Sequence, residues 1–231
     1  NNLLLIEDSA EALGASVNGK KVGSIADSSI FSFCGNKVLT TGEGGAIVTN
    51  DKAIFEKIKL IRSHGRMDNV RYFENTEQSK YLELGYNWRM SSITAALGIS
   101  QISKLDKIIK MRQDNAEYIS KFLSKFPEII TPSSNGGSEH IYQMYTIRLP
   151  SKEIRDKLHD FLTEKSIFSK IYFSPIHLTD FYRNKFGMKK NFLPLTEIIS
   201  EQILTLPLYP NMTSEEKIYL IESISEFFDY Q

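Results

Sequence analysis

The sequence predicts a layered α/β protein followed by a smaller α+β unit. Three observations carry this. Short continuous apolar runs at 3–6, 28–33 and 45–49 read as buried strands, and a helical pattern follows the last of them. A long stretch from about Lys104 to Phe126 keeps helical spacing through Leu105, Ile108, Ile109, Tyr118, Ile119 and Phe122. Beyond it, strand-like and helix-like segments alternate to the end of the chain. The expected division is 1–105, the C-terminal portion of a large domain, and 106–231, a small α+β domain reached through the long helix.

The elements follow in order. Leu3 to Ile6 should be covered on both faces, and Glu7-Asp8 puts two carboxylates at its carboxyl end. A strand that opens a chain without a lead suggests the back part of something longer. Ser9 to Ala15 reads as a brief helix, and Asn18-Gly19 as a tight turn. Asp51 caps a helix to about Ser63 with Ile54, Ile58 and Ile61 inward. Residues 64–85 lack periodicity and form a long loop, a kind that is usually functional. Ser91 caps the next helix. The Pro-, Ser- and Gly-bearing stretch 129–139 is a loop, and Ile141 to Leu149 alternates like a strand. Ser151 to Lys165 is a helix with Ile154, Leu158 and Phe161 inward, and Ile167 to Phe173 a further strand. Leu178 to Phe186 and Leu195 to Gln202 are short helical pieces, and Ile203 to Leu206 is a final strand. Thr213 with Glu216 is a capping box for a last helix burying Ile218, Ile221, Ile224 and Phe228.

Composition is that of an ordinary globular chain: 231 residues, 41% hydrophobic and 24% charged. Lys+Arg and Asp+Glu are both 28, so there is no basic surplus to neutralise phosphates, and nucleic acid is not the expected partner. No apolar run approaches a membrane span. Cys34 is the single cysteine, which rules out an internal disulfide and suits a reducing compartment; a cytoplasmic protein is expected. His64, His140, His159 and His177 show no metal spacing, so no metal is expected.

Chemistry concentrates in Ser32-Phe33-Cys34-Gly35-Asn36-Lys37, followed by Thr40-Thr41-Gly42-Glu43-Gly44-Gly45. This is a polar, glycine-rich turn between two apolar runs, with one lysine in it. A solvated surface lysine is the bland reading. A buried lysine loses its proton more readily, and its amine can then attack a carbonyl. Asp8 ends one strand, and Ser32 ends the strand that feeds the turn. Asp8 and Lys37 could form only a salt bridge. They could also grip one aromatic cofactor: pyridoxal phosphate needs a lysine for its aldehyde, an acid for its ring nitrogen and hydroxyls for its phosphate. The glycines match neither a Walker loop nor a dinucleotide fingerprint.

Ile6-Glu7-Asp8-Ser9-Ala10-Glu11-Ala12-Leu13-Gly14-Ala15 together with the lysine turn resembles the DegT/DnrJ/EryC/StrS nucleotide-sugar aminotransferases. Gly85-Tyr86-Asn87-Trp88-Arg89-Met90 looks like a further motif of that family, and Pro175-Ile176-His177 and Leu206-Pro207-Leu208-Tyr209-Pro210 resemble its small-domain motifs. The resemblance implies a fold-type I pyridoxal phosphate enzyme, with an α/β/α large domain and a small α+β domain. It implies transfer of an amino group, from glutamate, to a nucleotide-linked 4-keto-6-deoxy sugar. Lys37 would be the Schiff-base lysine, Asp8 the partner of the pyridine nitrogen and Ser32 a phosphate ligand. Glu11 stands where relatives often carry Gln or His beside the cofactor's 3-hydroxyl. Asn87 would reach the phosphate of a neighbouring subunit, so a homodimer with shared sites is implied. Tyr86, Arg89 and His177 are substrate-side candidates, and Cys34 is read as packing.

Two other readings stand beside this one. A sugar dehydratase of the same fold carries histidine in place of the lysine, so Lys37 counts against it. A catalytically incomplete fragment or non-catalytic binding module is the alternative from a different class. Sugar specificity is expected to depend on loops such as Arg66 to Leu84.

Overall fold

The computed structural model describes residues 3–66, 80–134 and 136–229. The chain forms two compact units, Asn1–Ile108 with Gly136–Gln143, and Ile109–Asn135 with Met144–Gln231. Among the described residues no helix is long and apolar enough to cross a membrane.

The first unit is built on a three-stranded sheet in the order β1-β4-β5, from β1 (Ile6–Asp8), β4 (Ser28–Ser32) and β5 (Gly45–Thr49). β1 and β4 are parallel, with Asp8 opposite Ile30; β4 and β5 are antiparallel, with Ser32 opposite Gly45. Between β1 and β4 lies a hairpin of β2 (Ser16–Val17) and β3 (Lys20–Lys21). Asn18 and Gly19 both take positive φ there, 50° and 76°, as the two-residue turn of a twisted hairpin requires. β6 (Ser138–Glu139) pairs with the other edge of β2. Helix α1 (Lys52–Arg62) starts at Asp51, whose carboxylate accepts the N–H groups of Ala53 and Ile54, and packs on β5. Helix α2 (Ser92–Ile102) starts at Ser91, whose hydroxyl accepts from the Thr94 N–H.

Two expectations for this unit fail. Ser9 to Ala15 is not a helix but two successive turns, closed by Ala12 N–H to Ser9 C=O and Ala15 N–H to Ala12 C=O. Asp8 accepts the Ala10 N–H in an Asx-like turn, and Gly14 takes φ 94°, so both ends of the stretch favour turns. The three strands expected to be buried are not covered on both faces either: Leu3 to Ile6 are 56–81% exposed, and Ile30 of β4 with Ile47 and Val48 of β5 are 36–51% exposed. β1 pairs only with β4, and no further layer among the described residues covers it.

The second unit holds β7 (Tyr145–Arg148) paired antiparallel with β8 (Ile203–Leu206), and around it α4 (Lys152–Glu164), α5 (Asp180–Phe186), α6 (Pro194–Gln202) and α7 (Ser214–Asp229). The long helix α3 (Leu105–Leu123) buries Ile109, Ala116, Ile119 and Leu123. They form one core with Tyr145, Ile147, Leu158, Leu162, Leu204, Leu206, Leu220 and Ile224, all buried. Buried Arg155 donates to the carbonyls of Ser200 and Ile203, satisfying the end of α6. The capping box forms: Thr213 N–H donates to Glu216 and Glu216 N–H donates back to the Thr213 hydroxyl.

Two details differ here as well. Ile167 to Phe173 is extended but touches the sheet only at Lys170, which bridges to Thr205. The apolar residues that suggested a strand, Phe168 and Phe173, are exposed. On α7 the buried residues are Leu220, Ile221, Ser223, Ile224 and Phe227, so the inward face is rotated away from Ile218, which is 43% exposed.

Candidate active site

β4 ends at Ser32, and the chain turns back at once to form β5, which leaves the lysine turn as the link between two paired strands. The turn is closed at its base by Phe33 N–H to Gly44 C=O, 2.9 Å, and by Thr41 N–H to Phe33 C=O, 2.9 Å. Gly44 takes φ 149°, and a side chain there would collide with the Thr41 hydroxyl, so the close return needs glycine. Phe33, Val38 and Leu39 are buried and anchor the turn, while Lys37 between them keeps 14% of its side chain exposed.

The Lys37 Nζ donates to Glu11 Oε1 at 2.7 Å. Glu11 comes from the double turn after β1, so the failed helix is what carries its carboxylate to the lysine. Asp8 and Ile30 are register partners in a parallel pair, so their side chains leave the same face of the sheet; Ser32, two residues on, shares that face. Ser32 stands opposite Gly45, where no side chain competes for the space. The Ser32 hydroxyl accepts from the Cys34 N–H at 3.3 Å. Asp8 and Glu11 are exposed and Ser32 is half-buried. Glu7, adjacent to Asp8, is spent on structure. It accepts the N–H groups of Gly23, Ile25 and Ala26, and these bonds, Gly23 first, hold its carboxyl below the usual carboxylate range. Cys34 is partly buried, with Sγ 3.7 Å from Glu43.

The segment carrying Tyr86, Asn87 and Arg89 is pinned to the end of α1. His64 N–H donates to Tyr86 C=O, Ser63 bridges to Asn87, and Arg89 Nη1 lies 3.4 Å from the Ser63 hydroxyl. Gly65 and Gly85 pass back to back, where a Cβ on either would meet the other strand's backbone. Tyr86 and Trp88 are exposed and stack with ring centroids 4.1 Å apart. Met90 brings this segment against the turn, since a Cβ on Gly44 would stand 3.0 Å from its Cε. Residues 67–79 of the stretch expected to set sugar specificity lie outside the described residues.

Asp8, Glu11, Ser32 and Lys37 thus gather at one end of the β1-β4-β5 sheet, with Asn87, Tyr86 and Arg89 on the adjoining segment. His177 belongs to the second unit. It is buried and bonded to Glu197 at 2.9 Å. Glu197 also accepts the N–H groups of Asn191 and Leu193, and the Asn191 bond, then His177, hold its carboxyl below the usual range. Gln143 was not singled out by the sequence. Its side chain reaches the lysine turn, Oε1 accepting from Val38 N–H at 2.8 Å and Nε2 donating to Asn36 C=O at 2.6 Å. Among the described residues no cluster of His, Cys, Asp or Glu could hold a metal ion.

The donor set is an amine held beside a carboxylate, a second carboxylate with no cation beside it among the described residues, and a hydroxyl facing a glycine. It suits a phosphorylated pyridine aldehyde: an amine for the aldehyde, an acid for the ring nitrogen, a hydroxyl and open backbone for the phosphate.

The sequence profile of the DegT/DnrJ/EryC1/StrS aminotransferase family matches residues 1–225. A GDP-perosamine synthase from Vibrio cholerae is 36% identical over 231 residues, 99% of this chain and 60% of that protein. Helicobacter pylori PseC, an aminotransferase involved in the biosynthesis of pseudoaminic acid, superposes with a TM-score of 0.90 at 28% identity, covering 99% of this chain and 60% of its own. Spr1654 from Streptococcus pneumoniae, solved in its pyridoxal phosphate form, superposes with a TM-score of 0.83 at 24% identity, over 98% of this chain and 58% of its own. This chain spans about 60% of the length of the relatives it matches. It belongs to the DegT/DnrJ/EryC1/StrS aminotransferase family, and its fold is that of the fold-type I aminotransferases.

Proposed function

We propose that this family member carries the lysine-bearing part of a pyridoxal-phosphate-dependent aminotransferase. Its acceptor is the keto group of a nucleoside-diphosphate-linked 4-keto-6-deoxy sugar, and its donor is glutamate. The observation that carries the reading is Lys37, four-fifths or more shielded, with its amine 2.7 Å from Glu11 beside the ends of the strands that bear Asp8 and Ser32. The sugar class rests on the likeness to the perosamine synthases.

When bound, the cofactor would supply an electron sink for the substrate carbon. Lys37 would hold its aldehyde carbon, and the Lys37 amine would serve as the general acid and base for the substrate's proton. Glu11 holds that amine in place and would face the cofactor's 3-hydroxyl. Asp8 would keep the ring nitrogen protonated through a charge-assisted hydrogen bond, on the order of 1.5–3 kcal/mol. Ser32 would bind the phosphate, and Asn87 would reach the phosphate of a second subunit in a homodimer with shared sites. Tyr86 and Arg89 would serve the substrate; His177, the third candidate, is buried against Glu197 in the second unit. Residues 1–105 act as the cofactor-binding portion, and 106–231 as the small domain.

Replacing Lys37 with Ala should abolish both the visible absorbance of lysine-bound cofactor and amino transfer to the keto sugar. Persistence of either in the variant overturns the assignment. The reading as a binding module alone predicts the absorbance without turnover in the unaltered protein.

A further inference from the structure

We propose that Gln143 is a positioning residue for Lys37, acting as an amide clamp on the two peptide groups that flank it. The inference rests on Lys37 being the lysine that bonds the cofactor. Gln143 lies more than a hundred residues from the turn in sequence, on the segment that follows β6. Its Oε1 accepts the Val38 N–H at 2.8 Å, and its Nε2 donates to the Asn36 C=O at 2.6 Å. One bond falls on each side of Lys37. The amide is a suitable group for this because it carries an acceptor and a donor together, and the two backbone partners fix which end is which. A carboxylate could make only the first bond.

The support behind the clamp is firm. β6 pairs with β2, the Ser16 hydroxyl donates to Glu139 at 2.9 Å, Ile141 is buried, and the Tyr142 N–H donates to His140 Nδ1 at 2.8 Å. On the other side, Val38 is buried, so its N–H would have to find a new acceptor if Gln143 let go. Lys37 is therefore held at its amine by Glu11, at its own N–H by the Cys34 C=O at 3.1 Å, and at the peptide groups on either side by Gln143. Small displacements of a reacting group cost rate steeply, so the clamp should show in how fast the lysine captures an aldehyde.

The test uses the purified protein with added pyridoxal phosphate, and two variants. Gln143→Met keeps the length of the side chain and loses both bonds. Gln143→Glu keeps the bond to Val38 and loses the one to Asn36. The readouts are the rate of covalent attachment at Lys37, trapped with borohydride and mapped by mass, and the hydrogen exchange of the Val38 amide without cofactor. The expected result is about tenfold slower attachment in Gln143→Met, in line with the loss of a part-buried and an exposed hydrogen bond at the reacting residue, with Gln143→Glu in between. Val38 should exchange faster in Gln143→Met and not in Gln143→Glu. Attachment at the unaltered rate in Gln143→Met overturns the proposal. So does an equal loss in both variants together with early melting, which would mark Gln143 as general support. If the unaltered protein attaches no cofactor at Lys37, the functional assignment fails and the positioning role falls with it, whereas failure in the variants alone leaves that assignment standing.

Discussion

In the second unit the buried apolar side chains come from α3, β7, α4, β8 and α7 and meet in one core. Among the described residues of the first unit, the buried apolar side chains are Phe33, Val38, Leu39 and Ile141, and three of these belong to the lysine turn. Its strands leave Leu3, Leu4, Leu5 and Ile6 open, and helix α2 buries none of its residues. A unit with its own core can hold its shape by apolar burial. The first unit instead places most of its apolar burial around one lysine and adds polar ties: Glu7 on the 23–26 turn, Gln143 on the lysine turn, Ser16 on Glu139. Among the described residues of the first unit, the lysine turn thus holds most of the buried apolar side chains.

The contrast can be broken most sharply at Leu158, which is fully buried in the second unit. Leu158→Ala should destabilise that unit by about 2–5 kcal/mol, read as a lower midpoint in denaturant. A smaller and pH-dependent effect is expected at Glu197. Its carboxyl is held below the usual range by the Asn191 N–H and then His177, so the folded state favours the ionised form. That stability is present above the unfolded pKa of about 4.3 and is lost as pH falls through the lower folded value. Melting temperature should therefore fall less steeply as pH drops from about 4.3 toward the lower folded value in Glu197→Gln than in the unaltered chain. Next comes the capping box: Thr213→Ala removes the acceptor for the Glu216 N–H and should cost about 1 kcal/mol in the same denaturation experiment. The least effect belongs to the first unit's open strand. Leu4→Ser, at a residue 81% exposed, should change the stability of the 231-residue chain by no more than about 0.5 kcal/mol. A large loss at Leu4, or a small one at Leu158, would erase the distinction between the units.

Features that depend on near neighbours were legible in the sequence. Asn18-Gly19 makes its hairpin turn, Asp51 and Ser91 cap their helices, and Thr213 and Glu216 bond reciprocally, each because the partners lie within a few residues. The strand–turn–strand around Lys37 was legible for the same reason, and with it the placing of Asp8 and Ser32 at strand ends. What failed depended on longer range. Ser9 to Ala15 has helix-forming alanines, but Asp8 and Gly14 at its borders win with turn geometry. Ile167 to Phe173 has a strand's composition, yet only Lys170 finds a partner. The Lys37–Glu11 contact and the Gln143 clamp join residues 26 and more than a hundred positions apart, a distance over which periodicity carries no information. The one local sign for Gln143 was an amide where an alternating apolar run was beginning.

Gly65 and Gly85 press their backbones together more closely than side chains would allow, and the pairs Ser63–Asn87 and Arg66–Tyr81 run on either side of that crossing. The crossing works as a buckle. It is fastened by backbone and not by side chains, so the segment bearing Tyr86, Asn87 and Arg89 stays where the end of α1 holds it.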